Sequence, residues 1–312
     1  MANILVIKLG ALGDFIYSFG AMAAIRRAHP DDYITLLTTK PFVKMAEESK
    51  YFNSIHVDER PKTFQFMKWL SLRKWFNSGD FSRVYDLQNN DRTSLYLKLF
   101  SPKPEWVGAA KGASHCNDSP DRSTGHAFYG HVQTLALAGI TDVTLDPLEW
   151  MKGDISTYGL HSPYVILVAG SSPQHPEKRW PIEYFRTLAT KLLRNGYQPV
   201  LLGTAAEVEV NQMIARGLEG VADLTGKTGL LDLPALARGA AGAIGNDTGP
   251  MHIMSVTGVP SIVLFCTKKS TIKKHGPQGA AVKALESENL AEISSSEVLE
   301  SFFTLVSEKK AC

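Results

Sequence analysis

Apolar positions along the chain fall into two rhythms, and the rhythms alternate. Residues 3–9 (NILVIKL) form a nearly continuous apolar run, the pattern of a parallel strand buried on both faces. Residues 15–28 follow with Phe15, Phe19, Met22 and Ile25 on one stripe at three- and four-residue spacing, which predicts a helix. The same alternation predicts strands at 33–38, 54–57 and 82–87, and helices at 42–49, 63–76, 93–100 and 126–138. Strands separated by helices at this pitch predict an α/β fold with a doubly wound parallel sheet.

The rhythm breaks twice. Residues 101–125 are rich in Pro, Gly, Ser and Asp and too long for an ordinary connection, which predicts a functional or mobile loop. Residues 146–163 lack periodicity and read as an interdomain linker. Beyond them the pattern restarts, with strands predicted at 164–169, 198–202, 221–224, 261–265 and near 280–284, and a short apolar strand end from 243 that runs into a turn at 245–249. Helices are predicted at 181–194, 205–216, 231–238 and 250–257. The tail, 295–308, carries Val298, Phe302, Leu305 and Val306 on one face and is expected to return to the first half. The predicted organisation is therefore an N-terminal Rossmann-like domain over 1–155, a second over 156–290, and a closing helix over 291–312.

At 312 residues there is room for two cores. A net charge of +2 gives no global field for nucleic acid. Cys116, Cys266 and Cys312 lie far apart without metal or disulfide spacing, which fits a reducing cytoplasm. The first residues enter a strand without a basic export leader, and no apolar run approaches the roughly 20 residues of a spanning helix. The expected location is the cytoplasm, with any membrane contact peripheral.

Candidate chemistry gathers at the strand ends. Residues 243–265 (AIGNDTGPMHIMSVTGVPSIVLF) read as strand, turn, helix and strand, with Gly258 and Pro260 stopping the helix. Asp247 or Thr248 is positioned to cap that helix. The turn aims unpaired N–H groups and the positive end of a helix dipole at one spot, which suits a phosphate. Asp247 and His252 are near enough to touch what the phosphate carries; the plain alternative is an ordinary capped helix. At 10–14 (GALGD) the dinucleotide pattern G-x-G-x-x-G is incomplete and the Gly-Lys-Ser/Thr of a P-loop is missing. What remains is Asp14 at a helix start, either in a ligand-facing position or as a simple N-cap.

The loop 170–181 offers Ser171 and Ser172 to a phosphate and Lys178 as its counter-charge, or else is a solvated turn. Glu207 follows a glycine turn and suits a ribose diol, or is a helix-start acid favoured by the dipole. Five cations, Arg60, Lys62, Lys68, Arg73 and Lys74, interleave with Phe64, Phe66, Trp69, Trp75 and Phe76 without one acid. That segment is either an amphipathic helix packing its aromatics inward or a patch for a phosphorylated, lipid-linked acceptor or an anionic membrane.

Taken together, KLGALGD at 8–14, KRWP at 178–181 and above all DTGPMH at 247–252 resemble the family 9 glycosyltransferases, the ADP-heptose:lipopolysaccharide heptosyltransferases. The resemblance covers most of the chain and is weakest over 101–125. It implies a GT-B fold, two Rossmann-like domains facing a central cleft, and inverting transfer. It implies Asp14 as catalytic base. It places Ser171, Ser172 and Lys178 on the donor diphosphate and Glu207 on the ribose, with Asp247, Thr248, Gly249 and His252 around the nucleotide sugar. Serines stand at 171 and 172 where the family has threonines, which keeps the hydroxyls. Arg60, Lys62, Lys68, Arg73 and Lys74 resemble the acceptor-binding region in character. The implied partners are ADP-heptose and a lipopolysaccharide or lipid-linked glycan, at the inner face of the inner membrane and without nucleic acid. The chain has no Asp-x-Asp, so no metal cofactor is expected. The competing readings are a GT-B-like nucleotide-sugar epimerase or hydrolase, and a non-catalytic nucleotide-binding protein.

Overall fold

A computed structural model describes residues 1–172 and 174–311. Pro173, Cys312 and the side chains of Ser123, Lys310 and Ala311 lie outside the described residues. The chain divides into two compact units, Met1–Asp146 and Pro147–Cys312.

In the first unit the elements are β1 (Asn3–Ile7), α1 (Leu12–Ala28), β2 (Tyr33–Thr38), α2 (Val43–Ser49), β3 (Ser54–Val57), α3 (Phe66–Ser78), β4 (Arg83–Asp86), α4 (Asp91–Tyr96), β5 (Glu105–Gly108), β6 (His115–Cys116), α5 (Asp121–Thr124) and α6 (Ala127–Ala136). The sheet is parallel, in the order β3-β2-β1-β4-β5-β6. The apolar run of β1 is buried on both faces as its composition requires, with Leu5 opposite Thr35 on one side and Val84 on the other. The strand order reverses between β1 and β4, so the chain diverges there at the carboxyl edge.

The second unit repeats this plan with β7 (Tyr164–Val168), α7 (Ile182–Arg194), β8 (Gln198–Leu202), α8 (Val208–Ala215), β9 (Ala222–Asp223), α9 (Asp232–Gly239), β10 (Gly242–Asn246), α10 (Gly249–Val256), β11 (Ser261–Cys266), α11 (Ile272–His275), β12 (Val282–Ser287) and α12 (Ser295–Ala311). Its parallel sheet runs β12-β11-β10-β7-β8-β9, so the reversal falls between β7 and β10. The tail helix α12 lies on this sheet, with Val298, Phe302 and Val306 in the unit's core. Gly242 makes that possible, because a side chain there would occupy the space of the Phe302 ring.

Three sequence expectations are corrected. The stretch 101–125 is not one loop: it holds β5, β6 and α5, and Trp106 of β5 is fully buried. Strands of four and two residues are too short to show a periodicity against Pro and Gly neighbours. The stretch 146–163 starts at the boundary between the units, and from Pro147 on it is anchored in the second: Leu148 and Met151 are buried, and Arg238 donates to both of their carbonyls. The last strand lies at Val282–Ser287, later than the apolar Ala280–Ala284 pattern places it, because only Leu285 in it is buried.

Candidate active site

The second unit builds its site at the reversal between β7 and β10. β10 ends on Asn246, whose side chain is fully buried. Its amide donates to Ala169 O at 2.8 Å, and its Oδ1 accepts from Trp180 N at 3.1 Å. One side chain therefore ties both ends of the loop after β7 to the end of β10. Trp180, packed in the core, is fixed further by its indole N–H on Ile293 O at 2.8 Å.

That tie sets the charges that flank it. Lys178, two residues before Trp180, places Nζ 2.6 Å from Asp247 Oδ2, directly after Asn246. Asp247 is 3% exposed and its other oxygen lies 3.5 Å from His252 Nε2, on the first turn of α10. Thr248 is the N-cap of α10 by position but makes no side-chain cap among the described residues; its hydroxyl donates to Asn246 O at 3.3 Å instead. The capping expectation is thus corrected. As first-turn amides, Gly249 and Met251 have no intrahelical acceptor, and Pro250 between them has no N–H to satisfy. The head of α10 presents donors and positive potential beside a lysine, an arrangement that holds an anion.

The surrounding residues divide. Ser171 is buried, its Oγ donating to His175 O at 3.3 Å and accepting from Arg179 Nε at 3.1 Å. Ser172 is exposed and bonds Gln174. Glu207 closes a capping box with Thr204, accepting from its N–H and Oγ at 2.7 Å. Its side chain also lies over Gly170 and Gly203, so close that neither glycine has space for a Cβ. The cap and the position at the strand ends are therefore both real. Beyond Lys178, Glu177 is held at a pKa of about 2, first by its own backbone N–H and then by Lys269 at 3.1 Å. Asn246, Arg179 and Lys269 were not singled out in the sequence. Asn246 stands inside the quoted motif, but nothing in spacing distinguishes a buried amide from a turn residue.

In the first unit, Asp14 is the third residue of α1, half-buried, and the N-cap is Ala11, which has no side chain to cap with. The N-cap alternative for Asp14 is therefore set aside. Behind it Lys8, at the end of β1, is buried and donates to Leu87 O at 3.2 Å. Burial pulls the Lys8 pKa down, while the carboxylates of Asp14 and Asp86 push it back up. Asp86 is itself fully buried and pushed up to about 6 by desolvation, against the pull of the Asn89 and Gln88 backbone N–H groups and of Lys8. Gly10, at φ +129°, lets the turn pass under the Phe42 ring, which stacks on Phe15 at 4.2 Å.

The basic segment also splits. Trp69, Leu72, Trp75 and Phe76 pack on the first core, and Lys68 pairs with Glu59 at 2.6 Å. Arg60, Lys62, Arg73 and Lys74 are exposed. A cavity of about 300 Å³ between β3 and α3 is lined by Asp58 and Glu59 as well as Lys68, so its charge does not favour a phosphate. Among the described residues no group of three His, Cys, Asp or Glu side chains is placed to hold a metal.

The description of glycosyltransferase family 9 (heptosyltransferase) matches residues 141–301, just over half of the chain. The chain belongs to glycosyltransferase family 9. It is 23% identical to lipopolysaccharide heptosyltransferase 1 of Pseudomonas aeruginosa over 287 residues, covering 84% of this chain and 78% of that protein. A family 9 glycosyltransferase from Veillonella parvula superposes with a TM-score of 0.82 and 25% identity, covering 98% of this chain and 97% of the other. The E. coli ADP-heptose lipopolysaccharide heptosyltransferase II superposes with a TM-score of 0.75 at 21% identity, covering 99% of both chains. The two Rossmann-like units are those of the GT-B fold that these family 9 structures share.

Proposed function

We propose that this family 9 enzyme transfers heptose from ADP-heptose to a lipopolysaccharide core or related glycan hydroxyl, with inversion and without a metal cofactor. The observation that carries the donor half is the Lys178–Asp247–His252 cluster beside the uncapped head of α10. Lys178 and the first-turn amides of α10 bind the diphosphate, Ser171 adds its hydroxyl, and Glu207 accepts from the ribose diol. Ser172 serves the diphosphate after giving up Gln174.

In the reaction Asp14 removes the acceptor hydroxyl proton as that oxygen attacks the anomeric carbon on the face opposite the diphosphate. The bond from the anomeric carbon to the diphosphate oxygen breaks, and its electron pair leaves with ADP. The transition state is oxocarbenium-like, and negative charge grows on the departing diphosphate. Lys178 and the α10 amides are most useful at that moment, since donors fixed in advance need no reorganisation. This supports leaving-group stabilisation by protein cations and amides. Arg60, Lys62, Lys68, Arg73 and Lys74 receive the anionic acceptor, with Lys68 released from Glu59. The enzyme works on the cytoplasmic side of the inner membrane.

Incubation with ADP-heptose and a deacylated core acceptor, followed by mass spectrometry, tests this reading. A heptosylated acceptor and stoichiometric ADP support it. An isomerised or hydrolysed donor formed equally fast without acceptor would identify an epimerase or hydrolase instead.

A further inference from the structure

Of the twelve large apolar side chains exposed among the described residues, four fall between positions 64 and 70: Phe64, Phe66, Met67 and Leu70. Phe64 is 80% exposed, Met67 73% and Phe66 66%. Phe66, Met67 and Leu70 occur on a helix whose inward stripe is already supplied by Trp69, Leu72 and Phe76, and Phe64 lies just before it. α3 is thus apolar on two faces, and only one of them has protein against it. The outer side chains project from the loop and the first turns of α3.

Charge continues the same face. At 100° per residue, Phe66, Leu70, Arg73, Lys74 and Asn77 follow one another up the outer side of α3, with Met67 beside them. Arg73 and Lys74 are exposed, as is Lys62 just before the apolar cluster. No acid occurs from Arg60 to Gly79. Lys68 belongs to the other side, where it pairs with Glu59. An apolar tip with cations around it and no acids matches a medium that is anionic at its surface and apolar just beneath.

We propose that the outer face of α3 and the loop before it dock this protein on an anionic lipid bilayer. Phe64, Phe66, Met67 and Leu70 enter the headgroup–acyl boundary, and Lys62, Arg73 and Lys74 sit at the phosphates. The helix lies in the plane of the interface. The proposal adds a partner to the acceptor reading of this segment and rests on that reading only in taking the acceptor to be lipid-borne.

The test is co-sedimentation of the purified protein with phosphatidylethanolamine vesicles containing phosphatidylglycerol, without acceptor, beside phosphatidylcholine vesicles. The expected result is binding to the anionic vesicles, weakened by 0.5 M salt and at least about tenfold weaker in the Phe64→Ser/Phe66→Ser/Met67→Ser variant. That variant keeps the wild-type circular dichroism and the wild-type turnover on a water-soluble, deacylated acceptor. Wild type remaining in the supernatant, or the variant sedimenting like wild type, overturns the proposal. So does a wild-type dimer that the substitutions convert to monomer, since a second copy would then cover the face. Turnover on the soluble acceptor reports on the transferase reading separately from all of these outcomes.

Discussion

Lys178 Nζ lies 2.6 Å from Asp247 Oδ2, joining the loop after β7 to the head of α10. The pair sits where strand order reverses, at the carboxyl edge where open α/β sheets hold their ligands. The Asp247 side chain is nearly inaccessible while that of Lys178 is 23% exposed, so the carboxylate holds the lysine from its buried side. Removing the lysine therefore has two consequences. Lys178→Ala leaves a buried carboxylate that, among the described residues, keeps His252 at 3.5 Å, and lowers stability by about 1–3 kcal/mol. It also removes one charge-assisted contact to ADP, which weakens binding by about tenfold to a hundredfold. Calorimetry with ADP checks the second consequence; an unchanged Kd would make Lys178 a purely structural ion-pair partner.

Asn246 holds the loop after β7 from both ends, so its loss is felt at a distance. Asn246→Ala strips a fully buried backbone N–H, that of Trp180, of its acceptor, and Ala169 O of its donor. Leaving such groups unpaired costs about 1–3 kcal/mol each. The expected outcome is a lower denaturation midpoint together with weaker ADP binding, because Lys178 rides on the same loop. Urea titration and calorimetry on the same preparation read both. A fall in stability with ADP affinity intact would separate Asn246 from the placement of Lys178.

Asp86 gives stability an unusual pH dependence. Its carboxyl is raised from 3.8 to about 6 in the folded chain, chiefly by burial. Between those values the folded state binds more protons than the unfolded state, so stability falls as pH rises through the window and levels off above about 6. The shift amounts to about 3 kcal/mol over the whole window, and about 2 kcal/mol of it falls between pH 4 and pH 7. Asp86→Asn keeps an oxygen for the Gln88 and Asn89 amides, which bond Asp86 at 3.0 and 2.9 Å, and removes the titration. Denaturation midpoints at pH 4.5 and pH 7 should differ less in the variant than in wild type. An identical difference would show that the carboxyl is ionised throughout.

Much of this was legible in the sequence, for identifiable reasons. The buried parallel strands declare themselves as apolar runs, and β2, β3 and β8 fall at the predicted limits, because Tyr33, Ser54 and Gln198 each begin an apolar run after polar or turn residues. The strand-end motifs are local, so the placement of Asp14, Lys178 and Asp247 after strands can be read from neighbours alone. The misses concern long-range facts. β5 and β6 exist because neighbouring strands are available for pairing, as Val84 pairs Trp106, and nothing in 101–125 encodes that. The burial of Asn246 and Lys8 depends on what packs over them, and an inward and an outward reading of Arg60 to Phe76 are alternatives in the sequence, whereas α3 is apolar both ways.

The central claim, that Asp14 takes the acceptor proton, is tested most directly by single-turnover transfer with Asp14→Asn at saturating donor and acceptor. The account predicts a rate about 10²–10⁴-fold below wild type with the ADP dissociation constant unchanged. A loss of less than about tenfold, or an equal loss in ADP affinity, would contradict it.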